Sequence, residues 1–316
     1  MSKKILITGC SGFLGSHLID GLENEYRIKG ALKLSGITDI IEYSSPRLDV
    51  YHVDLRDRQK VFKAVEEIQP DLTFHLAAVA NVGFSWKHQK LTYEVNFIGT
   101  SNLLEAVNEI SPDSRVLLMS SAELYGGCSV KPCNETAPIV TPKNPYSLSK
   151  VAMEMVGELY MKAFNLEVIR VRSFNFTGPR QSKQFMASDF SYQIAKIETG
   201  KQEPVIQVGN LAVIRDISDV RDIARYLTVI AEKGEDGNIY NLCSGKTYSV
   251  QDILDILISL SFKKIKVIVD ENKLRPVDVP KLWGDNSLIK QKFNLSPEYE
   301  IKQTLSDLLT YWRERV

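Results

Sequence analysis

Short apolar, β-branched runs alternate with amphipathic stretches through the first half of the chain. Lys4 to Thr8, Arg27 to Leu34, Asp49 to Leu55, Leu72 to Ala78, Arg115 to Ser121 and Glu167 to Phe174 have the length and make-up of strands. Between them, Gly12 to Leu22, Arg58 to Ile68, Gly99 to Ile110 and Pro145 to Phe164 repeat apolar residues at intervals of three and four, the period of a helix packed on one side. Strand and helix in near-regular alternation predict a parallel sheet with helices on both faces. Beyond Phe174 the pattern loosens. Helices are predicted over Asp189 to Glu198, Asp219 to Ala231 and Ser249 to Ser259, the last capped by Ser249, with strands at Val205 to Val208, Ile239 to Cys243 and Ile265 to Val269. The reading is an α/β chain with a first domain over residues 1–172 and a smaller region over residues 173–316. Segments near 205–245 are expected to return to the first sheet.

Ligands of such sheets bind at the carboxyl ends of the strands, and the clearest candidate lies at the end of the first. Gly9-Cys10-Ser11-Gly12-Phe13-Leu14-Gly15 follows that strand directly and opens the first helix. A turn without Cβ atoms lets backbone approach a pyrophosphate, and the helix N-terminus supplies free N–H groups and a partial charge of about +0.5. Strand, turn and helix coincide, which predicts a Rossmann-type doubly wound dinucleotide site. In such sites an acid ending the second strand takes the adenine ribose, whereas a 2′-phosphate needs a cation there. Here the strand ends Gly30-Ala31-Leu32-Lys33-Leu34-Ser35, so Lys33 favours NADP(H) over NAD(H), with Arg47 in the loop beyond as a second candidate cation. Asp54-Leu55, ending the third strand, suits the adenine amino group.

A second signal is Tyr146-Ser147-Leu148-Ser149-Lys150. Four residues of helix put Tyr146 and Lys150 on one face, one turn apart. A phenol titrates near 10, and a neighbouring ammonium can lower that by about 1–3 units, so Tyr146 is expected to act as an acid or base near neutrality. Ser120-Ser121, about 25 residues earlier at the end of a strand, would lie beside the pair.

Together the glycine turn, His75-Leu76-Ala77-Ala78, Asn96 before Gly99-Thr100, Ser120-Ser121 and the Tyr146/Lys150 pair resemble the extended short-chain dehydrogenases/reductases that act on nucleotide sugars. The resemblance runs from Lys3 to the C-terminus. It implies that Ser121 hydrogen-bonds the reacting oxygen, Tyr146 exchanges its proton, and Lys150 holds the nicotinamide ribose and tunes Tyr146. It also implies that Leu76, Ala77, Ala78 and Asn96 join the glycine turn around the cofactor.

Arg172-Ser173-Phe174-Asn175-Phe176-Thr177-Gly178-Pro179, Val208-Gly209-Asn210-Leu211, Arg215-Asp216 and Leu274-Arg275-Pro276 resemble the GDP-sugar branch of that family. By analogy Asn175, Arg215 and Arg275 would face the diphosphate and Asn210 the guanine end; a guanidinium fork suits phosphate oxygens. The branch holds both GDP-mannose 4,6-dehydratases and reductases of GDP-4-keto-6-deoxy-D-mannose. Glu123 could be the base an elimination needs, yet the reductases are similar at that position. Ala122, which can move no proton, stands where the dehydratases carry a polar residue. The expected activity is therefore NADPH-dependent reduction of the C4 ketone to GDP-D-rhamnose, with the dehydratase as alternative. A non-catalytic NADP-binding sensor is a remote third reading, against which the intact Tyr146/Lys150 pair counts.

Composition narrows the partners. Thirty-nine Lys and Arg balance 39 Asp and Glu, so no general field attracts nucleic acid or anionic lipid. The apolar runs are far shorter than the roughly 20 residues of a membrane span, and no signal-peptide core follows Lys3-Lys4, so a cytoplasmic protein is expected. Cys10, Cys128, Cys133 and Cys243 form no CxxC pair and are read as reduced thiols. His17, His52, His75 and His88 are scattered and no metal site is expected. Val151, Met155, Leu159 and Met161 on the Tyr146 helix, which relatives use as an interface, imply a homo-oligomer, in the first place a dimer.

Overall fold

The computed structural model describes residues 3–22, 28–33 (backbone only), 48–128, 130–273 and 279–316. Its first six strands are β1 (Ile5–Thr8), β2 (Ile28–Lys33), β3 (Leu48–His52), β4 (Leu72–His75), β5 (Arg115–Ser121) and β6 (Val168–Ser173). Later come β7 (Asn175–Thr177), β8 (Val205–Val208), β9 (Ile214–Asp219), β10 (Ile239–Leu242), β11 (Thr247–Ser249), β12 (Lys266–Val269) and β13 (Lys281–Leu282). Among the described residues the main sheet runs β10-β6-β5-β4-β1-β2-β3, every pair parallel. The strand order reverses between β1 and β4, which opens a crevice at their carboxyl ends, the place where doubly wound sheets hold ligands.

Helices on both faces explain why these strands are apolar almost throughout. The helices among the described residues are α1 (Phe13–Leu22), α2 (Arg58–Ile68), the short α3 (Val82–Lys87) and α4 (Gln89–Tyr93), α5 (Gly99–Ile110), α6 (Pro145–Phe164), α7 (Met186–Glu198), α8 (Val220–Lys233), α9 (Val250–Ser259), α10 (Ser287–Phe293) and α11 (Ile301–Arg313). Side chains alternate across the sheet. Ile5, Ile7, Leu117, Ile169 and Val171 face α1, α8 and α10, whereas Leu6, Val116, Leu118 and Val168 face α2, α5 and α6. A third core lies under α7, α9 and α11 with β8 and β12.

Of the later segments, β10 pairs with β6 in the main sheet, whereas β8 pairs with β12 in a separate two-stranded sheet. A further sheet runs β11-β9-β13, with β7 also on β9. The hydropathy reading contains no β9, because Ile214-Arg215-Asp216-Ile217-Ser218-Asp219 is mostly polar. Asp216 is nonetheless fully buried, accepting from the Ser244 and Gly245 amides at 2.8 and 2.9 Å. The cysteine expectation is corrected for one pair: Cys128 and Cys133 are joined by a disulfide. Their amides donate to Lys281 O and Trp283 O, both at 3.0 Å, so one edge of β13 and the residue after it draw the two Cα atoms to 5.9 Å, within bridging range. Cys10 and Cys243 are buried and take part in no disulfide. Among the described residues no helix is long and apolar enough to cross a membrane.

Candidate active site

The end of β1 turns through Gly9, whose φ of +73° lies in the left-handed region. A Cβ there would meet Ala77 N at 2.8 Å, so the turn lies directly against the chain leaving β4. At Gly15 a Cβ would stand 2.3 Å from Gly9 O and 2.8 Å from Cys10 Cα, so α1 starts close against the turn. The bare backbone and first turn of α1 form a surface with the donors and the space for a pyrophosphate. Ser11, Gly12 and Phe13 are partly open along it, and Leu14 is buried in the core. Phe13 stacks on Phe176 with centroids 5.7 Å apart. His17, which burial and Arg180 push down to about 4 and so keep neutral, meets Pro179 O at 2.9 Å. The first contact ties α1 to β7 and the second to the loop that follows it.

The β4 end is braced from inside. Thr100 Oγ1 donates to Asn96 O at 2.7 Å, so it accepts from His75 Nε2 at 2.8 Å. His75 Nδ1 then accepts from Thr8 Oγ1 at 2.7 Å, and Thr8 Oγ1 accepts from the Ala77 amide at 3.2 Å. Complete burial and the nearby Lys150 charge push His75 down to about 3, so it is a neutral strut between β1, β4 and α5. Asn96 sits on a π-helical turn (Glu94–Ile98), a local form often found at functional sites. Its amide takes the Val79 N–H at 2.7 Å and donates to Val79 O at 3.1 Å and Ser149 Oγ at 2.9 Å. Fully enclosed, Asn96 joins the loop after β4 to the Tyr146 helix through its side chain. Asp54 is held below the usual carboxylate range by the Arg56 fork, Nε and Nη2 lying 3.0 and 2.6 Å from its oxygens. Leu55 is buried in the core and its carbonyl accepts from Asn102 at 2.8 Å, whereas the Asp54 side chain is partly exposed.

The helix α6 begins on a capping box, Asn144 Oδ1 accepting from the Ser147 amide at 2.7 Å, with Pro145 at its first position. This fixes Tyr146 in the first turn and Lys150 in the second. Ser121 ends β5 and caps a short 3₁₀ turn (Ala122–Tyr125), its Oγ accepting from the Glu123 amide at 3.2 Å. Ser121 also hydrogen-bonds Tyr146, while the Glu123 charge acts on Tyr146 from the same turn. The four expected chemical residues are therefore brought together. The expected depression of Tyr146 is not found. Burial, with Glu123 adding to it, pushes the phenol up to about 12 against the opposing Ser121 hydrogen bond. Lys150 cannot reverse this, because its Nζ donates to Met119 O at 2.6 Å, and burial pulls its ammonium down to about 8. At neutral pH the pair is a protonated phenol beside a cation, the form of a proton donor.

The substrate candidates are less closely grouped. Asn175 opens β7, beside Ile217 of β9, and is exposed. Arg215 lies two residues earlier on β9, buried, with Nη1 donating to Val279 O at 2.7 Å. Asn210 sits apart in the loop between β8 and β9, accepting from the Ala212 amide at 3.0 Å. Arg275, Arg47 and the Lys33 side chain lie outside the described residues; the Lys33 backbone ends β2 as expected. Residues to which the sequence reading gave no role also frame the site. Glu154, one turn beyond Lys150, holds Arg172 of β6 through two hydrogen bonds of 3.0 and 2.8 Å. The Arg172 guanidinium lies 5.0 Å from the centre of the Tyr125 ring. Two arginines in the otherwise apolar run Val168-Ile169-Arg170-Val171-Arg172 were the visible signal.

A profile described as GDP-mannose 4,6 dehydratase matches residues 6–308. The chain is 28% identical to a GDP-6-deoxy-D-mannose reductase of Pseudomonas aeruginosa over 318 aligned positions, covering 100% of this chain and 99% of that one. It is 27% identical to a GDP-mannose 4,6-dehydratase of Yersinia enterocolitica over 348 positions, covering 97% and 93%. The solved structure of RMD from Pseudomonas aeruginosa complexed with NADPH superposes with a TM-score of 0.85 at 27% identity, covering all of both chains.

Proposed function

Because the chain belongs to the GDP-mannose 4,6-dehydratase family, we propose that it is an NADPH-dependent reductase of the C4 ketone of GDP-4-keto-6-deoxy-D-mannose, giving GDP-D-rhamnose. The observation that carries this reading is the aligned length. The reductase relative takes 318 positions for 316 residues, whereas the Yersinia dehydratase needs 348, the extra positions being segments this chain lacks.

Bound at the Gly9 to Gly15 turn, NADPH would supply the hydride that C4 receives. The turn and α1 would hold its pyrophosphate, Asp54 its adenine, Lys33 its 2′-phosphate and Lys150 its nicotinamide ribose. Tyr146 gives its phenolic proton to the C4 oxygen as that oxygen gains charge. Ser121, hydrogen-bonded to Tyr146, fixes the oxygen, and the Lys150 ammonium favours the phenolate left behind. Asn175, Arg215 and Arg275 take the GDP diphosphate and Asn210 the guanine end.

Glu123 beside Tyr146 is the feature that favours the dehydratase as second reading. Glu123→Gln separates the two. A reductase removes no C5 proton, so most ketone reduction is expected to survive; near-complete loss of turnover on GDP-mannose, with loss of water in the native reaction, would favour elimination. Lys33 leads to a kinetic expectation: NADPH outperforms NADH in kcat/KM, and Lys33→Asp erodes the difference. Equal native efficiencies would count against that role.

We also propose a homodimer through α6. Met155 and Leu159 are 62% and 57% exposed, and Leu148 and Phe164 are also open to solvent, whereas Val151 is buried. Light scattering at micromolar concentration is expected to give twice the chain mass, and Met155→Glu/Leu159→Glu to halve it.

A further inference from the structure

Two arginines of β6 meet two glutamates of α6 in register. Arg170 Nη1 donates to Glu158 Oε2 at 3.1 Å, and Arg172 to both oxygens of Glu154 at 3.0 and 2.8 Å. Two residues of strand rise about 6.6 Å and four of helix about 6 Å, so the pairs form a matched two-rung ladder that sets the height of α6 on β6. The rungs differ in setting. Glu158 is 39% exposed, whereas Glu154 and Arg172 are 3% and 4% exposed. A buried ion pair is a poor source of stability, because desolvation offsets its attraction, so its placement calls for another explanation.

That placement is beside Lys150. Glu154 follows Lys150 by four residues on the same face of α6, and its negative charge opposes the effect of burial on the ammonium. Facing Lys150 from the other elements are neutral His75 of β4 and the Met119 carbonyl of β5, with Glu123 acting on Tyr146 one turn back along α6. Arg172 completes the frame from β6. Its guanidinium holds both Glu154 oxygens and lies over Tyr125, whose hydroxyl donates to Asn241 Oδ1 at 2.7 Å. Tyr125 ends the same 3₁₀ turn that carries Glu123 and starts at Ser121.

We infer that the Glu154–Arg172 pair is the positioning device of Lys150: it locks the Lys150 turn of α6 against the turn that follows Ser121, and it holds a carboxylate one helical turn from Lys150 on the same face of α6. Neither residue touches substrate or cofactor in this account. The inference rests on Lys150 acting as a cation in the proposed reduction, but its readout does not need turnover.

The test follows the Lys150 ionisation by NMR of protein labelled at the lysine ε-carbons, the Lys150 signal being assigned by its loss in Lys150→Met. Glu154→Gln leaves Arg172 buried without its partner and can fail to fold; Glu154→Gln/Arg172→Met removes both charges at similar volume and is expected to fold. In the folded variant the Lys150 midpoint is expected to fall, because the carboxylate that raises it is gone, and by less than the roughly 1–3 units that loss of an isolated close opposite charge produces, because the Arg172 cation is lost with it. The alkaline limb of NADPH-dependent turnover should move down with it, while KM for the GDP-sugar stays near native. An unchanged Lys150 midpoint in the folded double variant overturns the inference. So does failure of both variants to fold, which would assign the pair to stability. Absence of ketone reduction by the native protein would instead remove the proposed function and leave the NMR result standing.

Discussion

Tyr146→Phe is expected to lower turnover by about 10²- to 10⁴-fold while leaving GDP-sugar affinity nearly unchanged. The magnitude follows from the chemistry of the hydroxyl. Tyr146 is 8% exposed, and its ring packs in the crevice wall whether or not it carries a hydroxyl, so the substitution removes a proton donor at almost constant volume. The hydrogen bond with Ser121 goes with it, a typical net contribution of about 1 kcal/mol, whereas general acid catalysis supplies several kcal/mol of barrier lowering. Steady-state kinetics with titration calorimetry checks both parts. A variant with near-native kcat would show that the proton reaches the oxygen from elsewhere, with Glu123 the next group to replace.

Gly15→Ala is expected to do the largest damage to cofactor binding. Its Cβ would stand 2.3 Å from Gly9 O and 2.8 Å from Cys10 Cα, and both obstacles are backbone that no rotamer change can clear. The start of α1 must move away from the turn, at a cost of about 1–3 kcal/mol for overpacking. The same movement withdraws the amides proposed to hold the pyrophosphate. A binding loss of about 1.4 kcal/mol is already about tenfold, and stabilisation by a ligand falls with affinity, so the rise in Tm on adding NADPH should shrink sharply or vanish. A variant that gained the native increment would place the pyrophosphate elsewhere.

The helices α2, α5 and α6 were legible to the residue because periodicity and end signals agree there: Asp57 caps α2, and Asn144 with Pro145 starts α6. The glycine turn was legible because its chemistry is local. The strand β9 was not, since burial of Arg215 and Asp216 depends on partners distant in sequence, such as Ser244 and Val279. The ionisation of Tyr146 also escaped. Spacing placed Lys150 one turn away, but only the packed structure reveals that burial outweighs that charge and that the ammonium is turned to Met119 O. The Glu154–Arg172 pair lies between these cases. Its arginine stood out in an apolar strand, while its partner required knowing which face of α6 meets β6. The disulfide was hidden for a related reason: it forms because two amides dock on one edge of β13 and its neighbour, which are far away in the sequence.

Stoichiometry measured by mass spectrometry bears most directly on the central claim. The protein is incubated with GDP-4-keto-6-deoxy-D-mannose and NADPH, and separately with GDP-mannose. The reductase account expects the ketose to gain two hydrogens with one NADPH oxidised per product, and GDP-mannose to remain unchanged. Loss of one water from GDP-mannose with no net consumption of NADPH, together with an unreduced ketose, would contradict it.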